Sequence, residues 1–266
     1  MATQAEKGAA FQALHEGKAF IIPNPWDAGS AKMFAGLGFE ALATTSAGFA
    51  FTLGRPDGSI TLAELVPHVR ALDEATALPV SVDLENGFGP APEDAARAIK
   101  AAAEARAVGG SIEDYDPEGG IYEFEQAVER VAAASEAARS LGFRFMFTAR
   151  AENFLRGNPD LDDTIARLQA YERAGADVLY APWLRTVEQV AAVCEAVSKP
   201  VNVLAYPGFP GSMEEIAAAG ARRVSLGSWL TMTAVAAAAD AATQMRDAGS
   251  FAALRAPAGI SDWLAG

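Results

Sequence analysis

Acidic side chains recur at the ends of short apolar runs, with a spacing that could hold a cation. Asp83 and Glu85 are two residues apart, so in an extended chain both point the same way. Glu113 and Asp114 end the next apolar run, and Glu152 follows the one after that. Carboxylates packed together repel one another unless a cation lies between them, and an all-oxygen ligand set favours Mg2+ or Mn2+ over zinc. The spacing therefore predicts a divalent metal site.

Groups suited to an anionic substrate lie near these acids. Arg150 ends an apolar run, where its forked guanidinium could bind a carboxylate; an ion pair with Glu113 or Glu152 is the alternative. The small residues of the loop Thr45-Ser46-Ala47 leave backbone N–H groups free for a carboxylate or an oxyanion. Asn202, near the end of a later run, is a candidate substrate contact or a loop cap.

Other reactive side chains fit catalysis less well. His15 and His68 fall in predicted helices away from the strand ends, which indicates surface positions and excludes a Ser-His-Asp triad. Cys194 lies mid-helix, where it is predicted to pack as a small apolar residue.

Alternating short apolar runs and longer amphipathic runs indicate which elements position these groups. The eight predicted strands are Ala19–Pro23, Ala41–Thr45, Pro79–Asp83, Gly110–Glu113, Arg144–Thr148, Ala176–Tyr180, Pro200–Leu204 and Arg223–Leu226. Eight repeats without a linker predict one α/β domain over residues 1–266, a (β/α)8 TIM barrel with its site at the carboxyl ends of the strands. An open doubly wound sheet is the alternative, but Asn24-Pro25-Trp26-Asp27 after the first strand lacks a phosphate-binding glycine pattern.

Capping signals mark several of the intervening helices. Thr61 and Glu64 form a capping-box pattern, Pro92 opens a helix, and Gly249 follows a helix that begins near Ser228. The predicted helices are Thr61–Ala75, Pro92–Ala107, Asp162–Ala174, Thr186–Ser198 and Ser228–Ala248. The C-terminal segment 228–266 is apolar and is predicted to pack on a neighbouring subunit, with folding back onto the barrel as the alternative.

Composition excludes several classes of partner. The net charge of −13 disfavours nucleic acid and anionic membranes because phosphates would be repelled. Hydrophobic residues make up 51% of the chain, enough for a large core, yet no apolar run approaches the ~20 residues of a membrane span. Cys194 is the single cysteine, and the first residues lack an apolar signal region, so we expect a cytoplasmic protein without disulfides.

Six short motifs, in order, resemble those of the isocitrate lyase/phosphoenolpyruvate mutase superfamily from about residue 20 to residue 230. They are Asn24-Pro25-Trp26-Asp27, Thr44-Thr45-Ser46, Arg55-Pro56-Asp57, Asp83-Leu84-Glu85-Asn86-Gly87-Phe88-Gly89, Ile112-Glu113-Asp114 and Thr148-Ala149-Arg150. Each motif is modest alone, but their order and spacing together are specific.

The resemblance implies a barrel whose eighth helix is exchanged between subunits of a homodimer or homotetramer. It implies Mg2+ as cofactor, with Mn2+ as an alternative, and a pyruvate-like enolate whose oxygens chelate the metal. The implied metal ligands, direct or through water, are Asp57, Asp83, Glu85 and Glu113. The superfamily usually has Asp in place of Glu85. Backbone groups at Thr45, Ser46 and Ala47 would hold one end of the substrate, and Arg150 would bind a carboxylate.

Departures from the superfamily pattern narrow the reaction. Its lyases carry a Lys-Lys/Arg-Cys-Gly-His loop where this chain reads Tyr115-Asp116-Pro117-Glu118-Gly119-Gly120-Ile121, so a Claisen-type lyase that uses this cysteine is disfavoured. The acidic loop also disfavours a phosphoryl substrate. Pro182 stands where relatives place His or Glu, so the proton donor is water, Tyr180 or Tyr206.

The retained and missing groups lead to one main hypothesis and three alternatives. The main hypothesis is a Mg2+-dependent lyase on a small 2-oxo (di)carboxylic acid, by oxaloacetate decarboxylation or by retro-aldol cleavage, with catalytic roles for Arg150, Glu113, Asp57 and Tyr180. The alternatives are methylisocitrate lyase-like or phosphonopyruvate hydrolase-like activity, or a protein that binds a 2-oxo acid such as 2-oxoglutarate without catalysis.

Overall fold

Residues 2–265 contain ten strands in two sheets, and the larger sheet has eight parallel strands that almost close into a barrel. The structure is a computed structural model and describes residues 2–265, so the ends of the predicted 1–266 domain and 228–266 segment lie outside it. The strands are β1 Phe20–Ile22, β2 Leu42–Ala43, β3 Val80–Asp83, β4 Gly109–Glu113, β5 Tyr115–Asp116, β6 Gly120–Ile121, β7 Met146–Arg150, β8 Val178–Tyr180, β9 Val201–Leu204 and β10 Arg223–Ser225. Around the barrel the order is β1-β10-β9-β8-β7-β4-β3-β2, whereas β5 and β6 form a separate hairpin.

Helices surround the barrel in the order that the sequence predicts for βα repeats. They are α1 Gln4–Glu16, α2 Ala28–Gly36, α3 Ser46–Thr52, α4 Leu62–Ala75, α5 Pro92–Glu104, α6 Phe124–Arg139, α7 Leu161–Arg173, α8 Val187–Ala196, α9 Met213–Ala218, α10 Trp229–Ala248 and α11 Ile260–Ala265. A backbone hydrogen bond from the Ala43 N–H to the Pro23 carbonyl, at 3.1 Å, bridges the gap between β1 and β2. The predicted (β/α)8 architecture is confirmed, and all eight predicted strands are present.

The capping signals act as predicted. The Thr61 hydroxyl accepts from the Glu64 N–H, and the Glu64 carboxylate accepts from the Thr61 N–H at 2.9 Å. Gly249 ends α10 with a φ of 63°, a left-handed conformation that glycine adopts without strain. Local side-chain chemistry therefore places the ends of these helices.

The C-terminal segment returns to its own barrel at its far end. Trp263 lies so close to Gly36 of α2 that a Cβ at Gly36 would come within 2.3 Å of the indole. Phe251 and Leu254, between α10 and α11, are 69% and 58% exposed. Coverage of this apolar surface by a neighbouring subunit stays a prediction.

His15 contradicts the sequence prediction of a surface position. It is 3% exposed at the amino-terminal end of the barrel, where α1 covers the strands and the ring lies edge-on to Phe11 and Phe20. Its Nδ1 lies 2.8 Å from the Phe11 carbonyl, and burial lowers its pKa to about 3. The prediction missed this because no strand-end signal reveals that α1 closes the barrel. His68 is half-buried and stacks on Phe49 at 3.8 Å, so its surface prediction is wrong as well.

The depressed pKa of His15 predicts a pH-dependent stability. Its ordinary value is 6.5, so stability from the neutral buried ring is complete above pH 6.5 and is lost as the pH falls towards 3. Each pH unit in this window costs about 1.4 kcal/mol. We expect the advantage of wild type over His15→Gln, measured by urea unfolding, to shrink by about 2–3 kcal/mol between pH 6.5 and 4.5. A difference that stays constant across this range would contradict the buried neutral histidine.

Candidate active site

One cavity of about 250 Å3 opens at the carboxyl ends of the barrel strands. It is walled by residues from most of the strand ends, including Trp183, Pro182 and Trp229. The predicted site residues that line it are Thr45, Ser46, Ala47, Asp57, Asp83, Arg150, Tyr180 and Asn202. Parallel strands bring these residues together because their carboxyl ends all lie on one side of the barrel.

Arg150 lies at the centre of an acidic cluster. Strand register aligns it with Glu113 on β4 and with Tyr180 on β8. Its Nη1 lies 3.0 Å from Asp83 Oδ1, its Nη2 lies 3.1 Å from Glu113 Oε2, and its Nε lies 2.9 Å from Glu152 Oε1. The ion-pair alternative for Arg150 is therefore present, and its guanidinium is already engaged by three carboxylates.

Arg156 is a second cation in this cluster and was not singled out from the sequence. Its Nη2 lies 3.1 Å from Glu113 Oε1, its Nε lies 3.5 Å from Glu152 Oε2, and its guanidinium stacks 3.7 Å from the centre of the Tyr115 ring. The spacing of four between Glu152 and Arg156 was the available signal. Burial raises the pKa of Glu113 well above its ordinary value and raises that of Glu152.

Asp114 belongs to a separate, structural network. Side chains alternate along β4, so Glu113 faces the barrel interior while Asp114 faces the helices. Asp114 accepts hydrogen bonds from Arg167 at 3.1 Å, from the Tyr171 hydroxyl and from the Glu152 N–H at 2.8 Å. It therefore fixes the loop that carries Glu152, outside the cavity itself.

Glu85 is the least satisfied acid near the site. Its backbone has a φ of 48°, which is uncommon for a side-chain-bearing residue and is enriched at functional loops. Its Oε1 is buried, with no hydrogen-bond partner among residues 2–265. Burial, reinforced by the charge of Asp83, raises its pKa to about 8. It lines a neighbouring cavity with Phe88 and Asp116 rather than the main one.

The predicted metal ligands are only partly assembled. Within the chain from residue 2 to 265, no three His, Cys, Asp or Glu side chains are gathered as a ready ligand set, because Asp83 and Glu113 turn towards Arg150. The donor chemistry nevertheless fits a hard divalent cation. Four carboxyl groups surround two guanidiniums, so negative charge would be in excess once all four were ionised. A cation would satisfy the orphaned Glu85 oxygen and offset this excess.

The strand-2 loop supports Asp83. The Thr44 hydroxyl accepts from the Asp83 N–H at 2.9 Å, and the Ser46 N–H donates to Asp83 Oδ2 at 3.3 Å. Thr45 caps α3, a short helix that begins within the predicted binding loop. Asp57 lies exposed at the rim of the cavity, in the loop before α4. The loop and the acid therefore hold each other in place.

Two uncharged polar residues lie deeper in the cavity. Tyr180 is buried beneath Arg150, whose guanidinium carbon is 5.2 Å from the ring centre, and burial raises the phenol pKa to about 12. The phenol is therefore protonated near neutral pH and has a proton to donate. Asn202 donates to Ser225 Oγ at 2.9 Å and accepts from Arg223 Nε at 2.8 Å, so its amide is held from both sides. Sequence reasoning missed Arg223, which is the first residue of the last strand, β10.

The loop after β4 forms the short β5–β6 hairpin, which is closed by a hydrogen bond from the Tyr122 N–H to the Asp114 carbonyl at 2.8 Å.

Cys194 is half-buried against the core, and burial raises its thiol pKa to about 11, which agrees with a packing role. Among residues 2–265, no helix is both long and apolar enough to cross a membrane.

Comparison with known proteins agrees with this geometry. The profile of the family described as phosphoenolpyruvate phosphomutase matches residues 11–246. A Burkholderia cenocepacia protein solved as a candidate lyase/mutase is 52% identical, with a TM-score of 0.94 over 99% of this chain and 97% of its own. An oxaloacetate decarboxylase of Rhodopseudomonas palustris is 29% identical over 80% of this chain and 75% of its own. The 2-methylisocitrate lyase of Escherichia coli is 30% identical over 76% of this chain and 72% of its own.

Proposed function

The chain belongs to the phosphoenolpyruvate mutase family, within the isocitrate lyase/phosphoenolpyruvate mutase superfamily, and from this premise we propose that it is a Mg2+-dependent lyase for a small 2-oxo acid. The proposed reaction is decarboxylation of oxaloacetate or retro-aldol cleavage of a related acid, through an enolate. The supporting observation is a cavity that combines Asp83 and Arg150 with a protonated, buried Tyr180.

Mg2+, or Mn2+ in its place, would be held by Asp83 and Glu85, with Glu113 and Asp57 as further ligands directly or through water. When bound, such a cation polarises the 2-oxo group of the substrate and stabilises negative charge on its oxygen. The orphaned oxygen of Glu85 and the excess of acids over arginines support this assignment.

The protein's own residues would then position the substrate and supply a proton. Thr45, Ser46 and Ala47 border one side of the cavity and orient one end of the acid. In decarboxylation the bond between C3 and the departing carboxyl carbon breaks, its electron pair forms the enolate, and CO2 leaves. Protonation of C3 by the Tyr180 hydroxyl, which regains its proton from water, gives the 2-oxo product.

The hairpin supports this choice over the other activities of the superfamily. Residues 115–121 contain no Cys, Lys or His, so they offer no acid of the kind that a methylisocitrate lyase-like reaction would use. Asp116 and Glu118 would repel a phosphoryl group, which disfavours a phosphonopyruvate hydrolase-like reaction. A homodimer or homotetramer, an exchanged eighth helix and a cytoplasmic location remain predictions.

The test is a proton and carbon NMR time course of the purified protein with Mg2+ and oxaloacetate. We expect pyruvate to form faster than in a blank that contains the metal without the protein. EDTA should abolish this difference in rate. If acetate and oxalate were the products instead, the reaction would be hydrolytic cleavage of a C–C bond and not decarboxylation. Rates equal to the blank would contradict oxaloacetate as substrate and favour the non-catalytic 2-oxo acid binder.

A further inference from the structure

Trp183 has a strained backbone conformation in the loop that follows β8. Its φ is 65°, in the left-handed region that glycine adopts freely and that disfavours a bulky side chain. Residues other than glycine persist in this region where the surrounding structure holds them, and they are enriched at ligand-binding sites. The backbone alone would favour glycine at this position, so the presence of tryptophan points to a role for the indole itself.

Neighbouring aromatic side chains hold this indole in one orientation. The Tyr206 ring stacks on it at 4.2 Å with 28° between the two planes, and Phe209 meets the Tyr206 ring edge-on at 5.6 Å. The Tyr206 hydroxyl donates to the Leu184 carbonyl at 3.3 Å, which ties the loop after β9 to the loop after β8. The indole is therefore held in place before a ligand arrives.

The part of the cavity wall that contains Trp183 is apolar. Leu155, Pro182 and Trp229 line the cavity with it, from the loops after β7 and β8 and from the start of α10. The loop after β8 carries one charged residue, Arg185, which is exposed and does not line the cavity. A hydrocarbon group fits this wall better than a carboxylate does, because a carboxylate would lose its hydration there without a compensating partner.

The strand order places this apolar wall opposite the loop proposed to hold the substrate carboxylate. Residues Thr45–Ala47 follow β2 and Trp183 follows β8; β3, β4 and β7 lie between these strands in one direction, and β1, β10 and β9 in the other. The Arg150 guanidinium also reaches the β2 side, since it and the Ser46 N–H both contact Asp83. An acid whose retained carboxylate is bound by this loop and by Arg150 therefore directs the other end of its carbon chain towards Trp183.

We infer that Trp183 is a specificity-determining residue and that the substrate is a 2-oxo acid with an apolar arm beyond its reacting carbon atoms. The inference rests on the proposed function for the 2-oxo acid and for the binding of its retained carboxylate. An alkyl group of two or three carbons at C3 of oxaloacetate has this character, as does the alkyl part of a retro-aldol substrate.

The experiment compares the binding of 2-oxo acids that differ in the arm. Pyruvate, 2-oxopentanoate and 2-oxoglutarate are titrated by calorimetry into wild type, Trp183→Gly and Trp183→Phe, each with Mg2+ present. Wild type should bind 2-oxopentanoate about tenfold more tightly than pyruvate, since each additional buried methylene contributes about fourfold. It should also bind 2-oxopentanoate more tightly than 2-oxoglutarate, whose arm ends in a carboxylate.

Trp183→Gly should reduce the affinity for 2-oxopentanoate about tenfold and leave the affinity for pyruvate within about twofold of the wild-type value. Glycine suits a φ of 65°, so the loop keeps its path in this variant. Trp183→Phe should retain most of the preference for the longer arm, because it keeps an aromatic surface. Loss of affinity by the same factor for all three acids would indicate a structural role and overturn the inference.

Leu37→Ala is the matched control, because it removes an apolar side chain that is 57% exposed and does not line the cavity. It should bind all three acids as wild type does. Equal wild-type affinities for pyruvate and 2-oxopentanoate, or tighter binding of 2-oxoglutarate than of 2-oxopentanoate, would overturn the inference and leave the lyase proposal standing. If wild type binds none of the three acids, the proposed 2-oxo acid chemistry fails and the inference fails with it.

Discussion

Replacing Asp83 by alanine should reduce lyase turnover by about 10²–10⁴-fold. This range corresponds to the loss of several kcal/mol of transition-state stabilisation by the metal. Asp83 lies where the metal, the strand-2 loop and Arg150 meet. Its Oδ1 accepts from Arg150 at 3.0 Å and its Oδ2 accepts from the Ser46 N–H at 3.3 Å. The substitution therefore removes the proposed central ligand and the partner that orients both neighbours. The measurement is kcat for oxaloacetate with Mg2+, together with Mg2+ affinity by calorimetry.

Glu188→Ala provides the matched control, because it removes a carboxylate from the first turn of α8 that is exposed and does not line the cavity. Its turnover and Mg2+ affinity should equal those of wild type. Far-UV circular dichroism of Asp83→Ala should retain the wild-type spectrum, since the barrel core does not depend on this acid. Full activity in a folded Asp83→Ala protein would refute the metal assignment and leave the enolate mechanism without its charge stabilisation.

The strands were predictable from the sequence because their physical signal is local. A strand such as β9, whose four residues are all buried, reads as a short apolar run. The capping box at Thr61 and the glycine at 249 likewise act through neighbours within a few residues. Topology follows, because short βα repeats have few ways to close, and closure alone places Asp83, Arg150 and Tyr180 in one cavity.

The pairing of charges was less predictable, because it depends on geometry between strands. The sequence left Arg150 with two alternatives, a substrate clamp or an ion pair, and only the strand register shows it beside Glu113 and Tyr180. Arg223 gave no signal at all, since a basic residue at the start of a strand usually lies outside the barrel. Its guanidinium lies 3.3 Å from His15 Nε2, and the apolar pattern did not assign the helix of His15 to the barrel floor.

Replacing Arg150 by glutamine should lower the free energy of unfolding by about 3–5 kcal/mol at pH 8, because removing one partner of a buried ion cluster leaves its other charges uncompensated. Arg150 is 11% exposed and contacts Asp83, Glu113 and Glu152, the last of which is fully buried. The measurement is urea unfolding, and Arg144→Gln, which breaks the more exposed pair with Asp177, should cost about 1 kcal/mol or less.

The loss of stability in Arg150→Gln should also depend on pH in a defined direction. Burial already raises the pKa of Glu113 and of Glu152, and removing the guanidinium raises both further. A group with a raised folded-state pKa contributes full stability below its unfolded value and loses that contribution as the pH rises. The deficit relative to wild type should therefore be small near pH 4.5 and should grow towards pH 8. A deficit that is the same at both pH values would mean that lost packing, rather than uncompensated charge, explains the effect, and Arg150 would then not be the neutralising centre of this site.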